Sequence, residues 1–258
     1  MKDIIIRAIQ LAPEVIEFLT PKARLLAGIT IKAARDRRTW QGKEEKELQS
    51  QIGRLMDEYW GITTRNIAAG DTPMTDEFQK RLQAILQQRL ADIAAQNAEE
   101  RAAEIGIGFD PAAVDVAAEA WARDYSYSLI KGIDDTTREL VANAVTMFVN
   151  TPGMTNRDLK LQLESAFGEV RAEMIAITEV TRAFSAGEMV YQNLLSDAGI
   201  EVQREWLTSE DEKVCPICGF LDRKRVDPGE MFIDENGIEY DNPPAHPRCR
   251  CAVQTRIK

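Results

Sequence analysis

The chain has 258 residues with 32 Lys/Arg against 42 Asp/Glu, a net charge of −10, and is 44% apolar and 29% charged. That balance is globular and long enough for one or two domains with their own core. It excludes a generally basic nucleic-acid binder, and no apolar run approaches the roughly 20 residues of a membrane span.

The first forty residues carry eight Lys/Arg and four Asp/Glu, a net of +4, which leaves −14 for the remainder. The positive charge concentrates in Lys22, Arg24, Lys32, Arg35, Arg37 and Arg38. Such a segment reads either as a docking arm or as a solvated helix face. Asp3, Arg7, Glu14 and Glu17 interrupt any secretory apolar region, so the protein is expected to stay where it is made, with no membrane partner.

The first 200 residues read as helical, being rich in Ala, Leu, Ile, Glu, Gln and Arg. Pro13 and Pro21 are expected to break the start into short pieces. Leu48, Ile52, Leu55, Met56 and Tyr59 form one apolar stripe of a helix from about Glu44 to Asn66. A turn at 69–73 precedes a second helix, about Thr75 to Ile105, with the stripe Leu82, Ile85, Leu86, Leu90 and Ile93. Gly106 and Gly108 end it, and Asp110-Pro111 starts the next. That helix is expected to stop near Ile130, with Asp134 or Asp135 capping a further one to Val149. Thr155 with Asp158 resembles a capping box. A last helix runs from about Val170 to Ala198 and stops at Gly199.

Beyond Gly199 the pattern turns to strands. Val202–Leu207 and Ala252–Ile257 alternate, and Asn236-Gly237 between two short apolar runs signals a hairpin. The expected fold is mainly α, a helical body with a small C-terminal β-rich zinc-binding module. The expected divisions are 1–110, 111–199 and 200–258.

All four cysteines and the single histidine fall between Cys215 and Cys251. Cys215-Pro-Ile-Cys218 puts two thiolates on one side of a turn, half of a tetrahedral zinc site. His246-x-x-Cys249-x-Cys251 can supply the other half, so four of five candidates, Cys215, Cys218, His246, Cys249 and Cys251, would hold structural Zn2+. The alternatives are disulfides or free thiols, and a redox Cys-x-x-Cys pair. The lone histidine lies inside the cluster, which leaves none to serve as a base elsewhere. A Cys-rich closed site also has no open coordination position. An enzyme is therefore not expected.

Four blocks resemble the phage head morphogenesis family, the one named for the Mu protein F-like minor head protein. They are Thr178-Glu-Val-Thr-Arg-Ala183, Trp206 before Asp211-Glu-Lys-Val214, Cys215-Pro-Ile-Cys218 with Leu221-Asp222, and Pro243-Pro-Ala-His-Pro-Arg-Cys-Arg-Cys251. The sequence departs from the family pattern at Ile177, where a basic residue often stands, and at Arg223, where Gly often follows Leu-Asp. The resemblance, over roughly residues 115–258, implies a minor head protein of a tailed phage or prophage. Such a protein associates with the portal and other head proteins, is found in the virion after assembly in the host cytoplasm, and in some phages travels with the DNA. Some relatives carry a toxin or transferase domain after this module, and none is expected past Lys258.

Glu179 and Arg182 share a helix face. They read either as a surface pair or as the residues that fix the zinc module to the body, and the second is expected. Trp206 is expected to pack that module against the helix bearing Val180, Phe184 and Met189. The competing function is a zinc-dependent DNA-binding or DNA-processing protein using Arg223, Lys224, Arg225, Arg248, Arg250, Arg256 and Lys258. Residues 201–258 nonetheless hold nine Lys/Arg against twelve Asp/Glu, a net of −3. A zinc oxidoreductase is a third class, and it would need a reactive low-pKa thiol.

Overall fold

The computed structural model describes residues 21–72, 76–105, 110–151, 153–208 and 214–258, with the backbone alone at 21–38, 105, 126–131 and 134. Pro13, Pro73, Gly106, Gly108, Pro152 and the Asp211-Glu212-Lys213 block lie outside the described residues. Among the described residues, seven helices and five strands follow in order: α1 (Pro21–Ala69), α2 (Asp76–Ile105), α3 (Pro111–Asn150), α4 (Asn156–Gln162), α5 (Glu164–Phe167), α6 (Glu169–Asp197), β1 (Val202–Leu207), α7 (Pro216–Leu221), β2 (Arg225–Val226), β3 (Phe232–Ile233), β4 (Glu239–Tyr240) and β5 (Ala252–Ile257). The chain is mainly α with a small C-terminal β region, as its periodicity predicts.

Residues 1–42 and 43–258 are separate compact units. In the larger one, the expected stripe Leu48, Ile52, Leu55, Met56 and Tyr59 is buried. Tyr59 meets Phe78 edge-on at 5.0 Å, and Phe78 meets Phe167 at 5.9 Å, so one aromatic chain joins α1, α2 and α5. On α2 the buried ladder Leu82, Leu86, Leu90, Ala94, Ala98, Ala102 repeats every fourth residue. Its large half fills the core, and its alanine half lets neighbouring helices come close. α2 packs along both α3 and α6, so residues 76–105 share a core with the helices after 110.

Two helix starts follow their sequence signals. Asp110 accepts from the Ala112 N–H at 3.1 Å with Pro111 in the first turn of α3. Thr155 and Asp158 form a reciprocal capping box at α4. The expected break near Asp134 does not occur: α3 runs unbroken for 40 residues. No proline stands there, and the Thr136 and Thr137 hydroxyls donate to the carbonyls of Gly132 and Ile133, one turn back. These side chains bond within the helix rather than capping a new one.

The strands sit where alternation places them. β1 is the centre of a three-stranded antiparallel sheet in the order β2-β1-β5, with Val202 opposite Ile257 and Leu207 opposite Ala252. β3 and β4 form the hairpin, Phe232 opposite Tyr240. Its turn is held by Asp234, whose carboxylate accepts from the N–H groups of Asn236 and Ile238 at 2.8 and 2.9 Å. Burial opposes ionisation of Asp234, but these bonds outweigh it and hold the group below the usual carboxylate range.

Candidate metal centre

β1 carries the centre of the C-terminal module. Trp206 is fully buried and is ringed by Cys218, Leu221, Phe232, Cys249, Cys251 and Val253. It meets Phe232 edge-on at 5.3 Å and Tyr240 at 6.4 Å. The expectation that Trp206 packs the module onto the helical body is therefore corrected. The ring is the module's own nucleus, because a strand with sheet neighbours on both sides points its largest side chain into the layer it builds.

Two short turns present the cysteines and the histidine. In the first, Cys215 caps α7: its Sγ accepts from the Cys218 N–H at 3.4 Å, and its carbonyl accepts from Gly219 N–H at 2.9 Å. In the second, the Cys249 N–H donates to the His246 carbonyl at 3.1 Å. Arg248, just before Cys249, takes φ +62° to close this turn. Arg223 also has φ +62°, which is the conformation a glycine adopts without strain. That is the position where the resembled family often has Gly.

The turns face each other. His246 Nε2 lies 3.1 Å from Cys215 Sγ and 3.4 Å from Cys218 Sγ, and Cys218 Sγ lies 3.7 Å from Cys249 Sγ. Cys215, Cys218 and His246 have ligand atoms mutually within 4.8 Å, as do Cys218, Cys249 and Cys251. All four thiols are free. Zinc–ligand bonds of about 2.3 Å to sulfur and about 2.0–2.1 Å to nitrogen imply tetrahedral edges of about 3.8 and about 3.6 Å. The sulfur–sulfur spacing matches its edge, the two sulfur–nitrogen spacings are shorter than theirs, and the donor set fits a borderline-soft dication.

The surroundings prepare the donors. His246 Nδ1 is 2.8 Å from the Pro247 carbonyl oxygen, which can only accept, so Nδ1 carries the proton. A neutral ring then turns its Nε2 lone pair to the thiols, the arrangement a metal-ligating histidine requires. The buried thiols cannot all ionise side by side. The Cys218 thiol is pushed up, first by its hydrogen bond to Cys249, and Cys249 is held down by the same bond. A bound dication would replace the shared protons.

The module is tied to α6 by hydroxyls and by a buried ion cluster. Thr181 Oγ1 donates to the Cys249 carbonyl at 2.8 Å, and Thr178 Oγ1 accepts from the Arg248 N–H at 3.0 Å. Further along, Glu188 accepts from the Thr255 N–H at 2.6 Å and from Arg101 Nε at 3.0 Å. Arg101 also reaches the Thr255 carbonyl and pairs with Glu104. Glu179 faces elsewhere. Its carboxylate accepts from Tyr125 Oη on α3 at 2.7 Å, and Arg182 stands 3.6 Å away, over the Tyr125 ring. Burial raises the Glu179 pKa, and Arg182 and Tyr125 only partly oppose this. The expected role of Glu179 and Arg182 in fixing the module thus falls to the two threonines of the same block, one helical turn apart. Their short hydroxyls suit a close backbone approach that a long charged side chain would prevent.

Sequence reading also missed Arg204. It is almost fully buried, donates to Asp241 Oδ1 at 2.6 Å and to Asn242 Oδ1 at 3.2 Å, and bonds the Glu230 carbonyl. It pins the 227–242 loop over Phe232. An arginine within a strand carries no signal of burial in the sequence.

The basic residues near the cluster are engaged with acids. Arg225 and Arg256 both bond Glu205, Arg248 bonds Glu173, Arg250 bonds Glu45, and Lys258 bonds Asp227. Arg223 stands 3.8 Å from Asp222, and Lys224 covers the Phe220 ring and donates to the Ile233 carbonyl. Most of these cations have a partner within the fold, although Arg223, Arg225 and Arg248 remain substantially exposed. No helix of the described residues is long and apolar enough to cross a membrane.

Residues 138–254 match the model of the family described as phage Mu protein F like protein. The matched stretch holds the Thr178–Ala183 helix block, Trp206 and every candidate ligand. No curated protein and no solved structure shows significant similarity to the chain.

Proposed function

From the match of residues 138–254 to the phage Mu protein F like family, we propose that the chain is a minor head protein of a tailed phage or prophage. It acts structurally in head assembly at the portal and is carried in the virion. The observation that supports this reading is the place of the matched stretch in the fold. It includes the helix α6 and a β module whose His246–Cys249 turn is bonded directly to that helix. Such a unit presents a fixed surface, which assembly needs, and its ligand-type side chains are turned inward on one another. The role is non-catalytic.

The five donors fit a structural zinc ion. When bound, zinc supplies a cross-link between the Cys215 and His246 turns. The residues around it do the rest: Pro247 orients His246, Trp206 fills the space behind the thiols, and Thr181 fixes the Cys249 backbone. The DNA-binding alternative loses support because five of its seven cations, Arg225, Arg248, Arg250, Arg256 and Lys258, are paired with Glu205, Glu173, Glu45 and Asp227.

Co-expression of the full chain with the portal protein encoded in the same phage genome tests the reading. The two are expected to co-purify. Failure to bind the portal, combined with DNA binding that weakens steeply with salt, would favour the alternative.

A further inference from the structure

The hairpin of the C-terminal module has an exposed outer face. Phe232 and Tyr240, opposite each other across β3 and β4, point inward to Trp206. Exposure alternates from Met231 to Asp234, so Met231 and Ile233 point outward, with Glu239 opposite Ile233. Lys224 joins Phe220 to this face: it lies 3.6 Å over the Phe220 ring and donates to the Ile233 carbonyl at 3.0 Å. Phe220, Met231 and Ile233 are each between 43% and 48% exposed. Large apolar side chains gathered on one face mark a contact surface, whereas scattered single ones do not.

The rim of the face is acidic. Residues 227–242 hold six Asp/Glu and no Lys/Arg. Asp227 and Asp241 are paired with Lys258 and Arg204, and Asp234 holds the turn. Glu235 and Glu239 are exposed, and no salt bridge among the described residues uses either. A partner that fits this face therefore carries apolar side chains flanked by cations.

Residues 22–38 have that composition. They hold six Lys/Arg against one Asp, a net of +5, and their backbone is helical, the start of α1. The period of 3.6 residues puts Leu25, Leu26, Ile29 and Ala33 on one helix face, with Lys32 on one flank and Arg37 on the other. We infer that the outer face of the hairpin docks residues 22–38 of a second copy of this chain. The two surfaces are different patches, so the contact is head-to-tail: each copy offers a hairpin to one neighbour and a basic helix to another. Opposite charges select the pairing, and the apolar side chains supply the burial. The inference does not rest on portal binding, since it concerns copies of this chain alone.

Sedimentation velocity of the purified full chain tests it. The wild type is expected to associate increasingly with concentration, and less so at high salt. Glu235→Lys/Glu239→Lys reverses the rim of the hairpin, and Lys32→Glu/Arg37→Glu reverses the flanks of the helix. Each variant alone is expected to lose at least about tenfold in association constant. An equimolar mixture of the two is expected to recover wild-type association, because every hairpin then meets a helix of opposite charge. Ile233→Ser, which leaves all charges in place, is expected to weaken wild-type association several-fold. A wild type that stays monomeric at its highest soluble concentration would overturn the inference. So would a mixture that recovers nothing while each variant keeps the wild-type thermal midpoint, or unchanged association in Ile233→Ser.

Discussion

Glu179 shows how far a single residue can be read. Its helical spacing with Arg182 is visible in the sequence, and the structure keeps the pair close. What the sequence does not reveal is that the carboxyl is buried against Tyr125 from 54 residues away. Burial raises its pKa. A carboxyl raised on folding opposes stability once pH exceeds the unfolded value and does so fully above the folded one. Glu179→Gln keeps an acceptor for the Tyr125 hydroxyl and removes the charge. The variant is expected to unfold at a higher denaturant midpoint at pH 8, with the advantage shrinking as pH falls toward 4. An equal or lower midpoint at pH 8 would show that the charge is stabilised by its partners. Trp206 is the opposite case, since its size announces burial but not the neighbours it gathers. Trp206→Ala opens a void among Cys218, Phe232 and Val253, and is expected to destabilise the module by about 3–5 kcal/mol. Protease cutting within 200–258 measures this. Unchanged resistance would show that the buried ring is not what holds the module together.

Elements were legible where a local signal fixes them. The Thr155 capping box, the Asp110-Pro111 start, strands β1 and β5 and the Asn236-Gly237 hairpin all follow from residues within a few positions. The continuity of α3 did not, because Asp134-Asp135-Thr136 suits either a cap or a helix interior, and long-range packing decides. The joint between elements was less legible still. Gly187 on α6 sits against α2, where an added Cβ would fall inside contact distance of the Ala94 carbonyl oxygen and 2.9 Å from Asn97 Cβ. Gly187→Ala is expected to force the helices apart at a cost of about 1–3 kcal/mol, despite its better helix propensity. A rise in thermal midpoint would contradict the close packing. Thr181→Val keeps the shape but strands the buried Cys249 carbonyl, at a cost of about 1–3 kcal/mol. Equilibrium unfolding should show that loss while metal content stays at the wild-type level.

At the scale of the whole molecule, the charge division between residues 1–40 and the remainder was plain from counting, and the clustering of ligand-type residues after position 214 marked the site. The direct attachment of that site to α6 was hidden, because hydroxyl-to-backbone bonds leave no pattern in the sequence. The basic segment, opposite in charge to the rest, reads either as a docking contact or as a solvated face, and truncation separates the two. Deleting residues 1–40 is expected to weaken co-purification with the portal at least several-fold and to leave the zinc content unchanged. Full retention would place the docking surface within 41–258. The central claim is that this chain is built into heads. Quantitative mass spectrometry of purified virions, with the portal as internal standard, tests it most directly. The account predicts the full-length chain at a few copies per particle, at a fixed ratio to the portal. Heads that assemble normally and contain none of it would contradict the account.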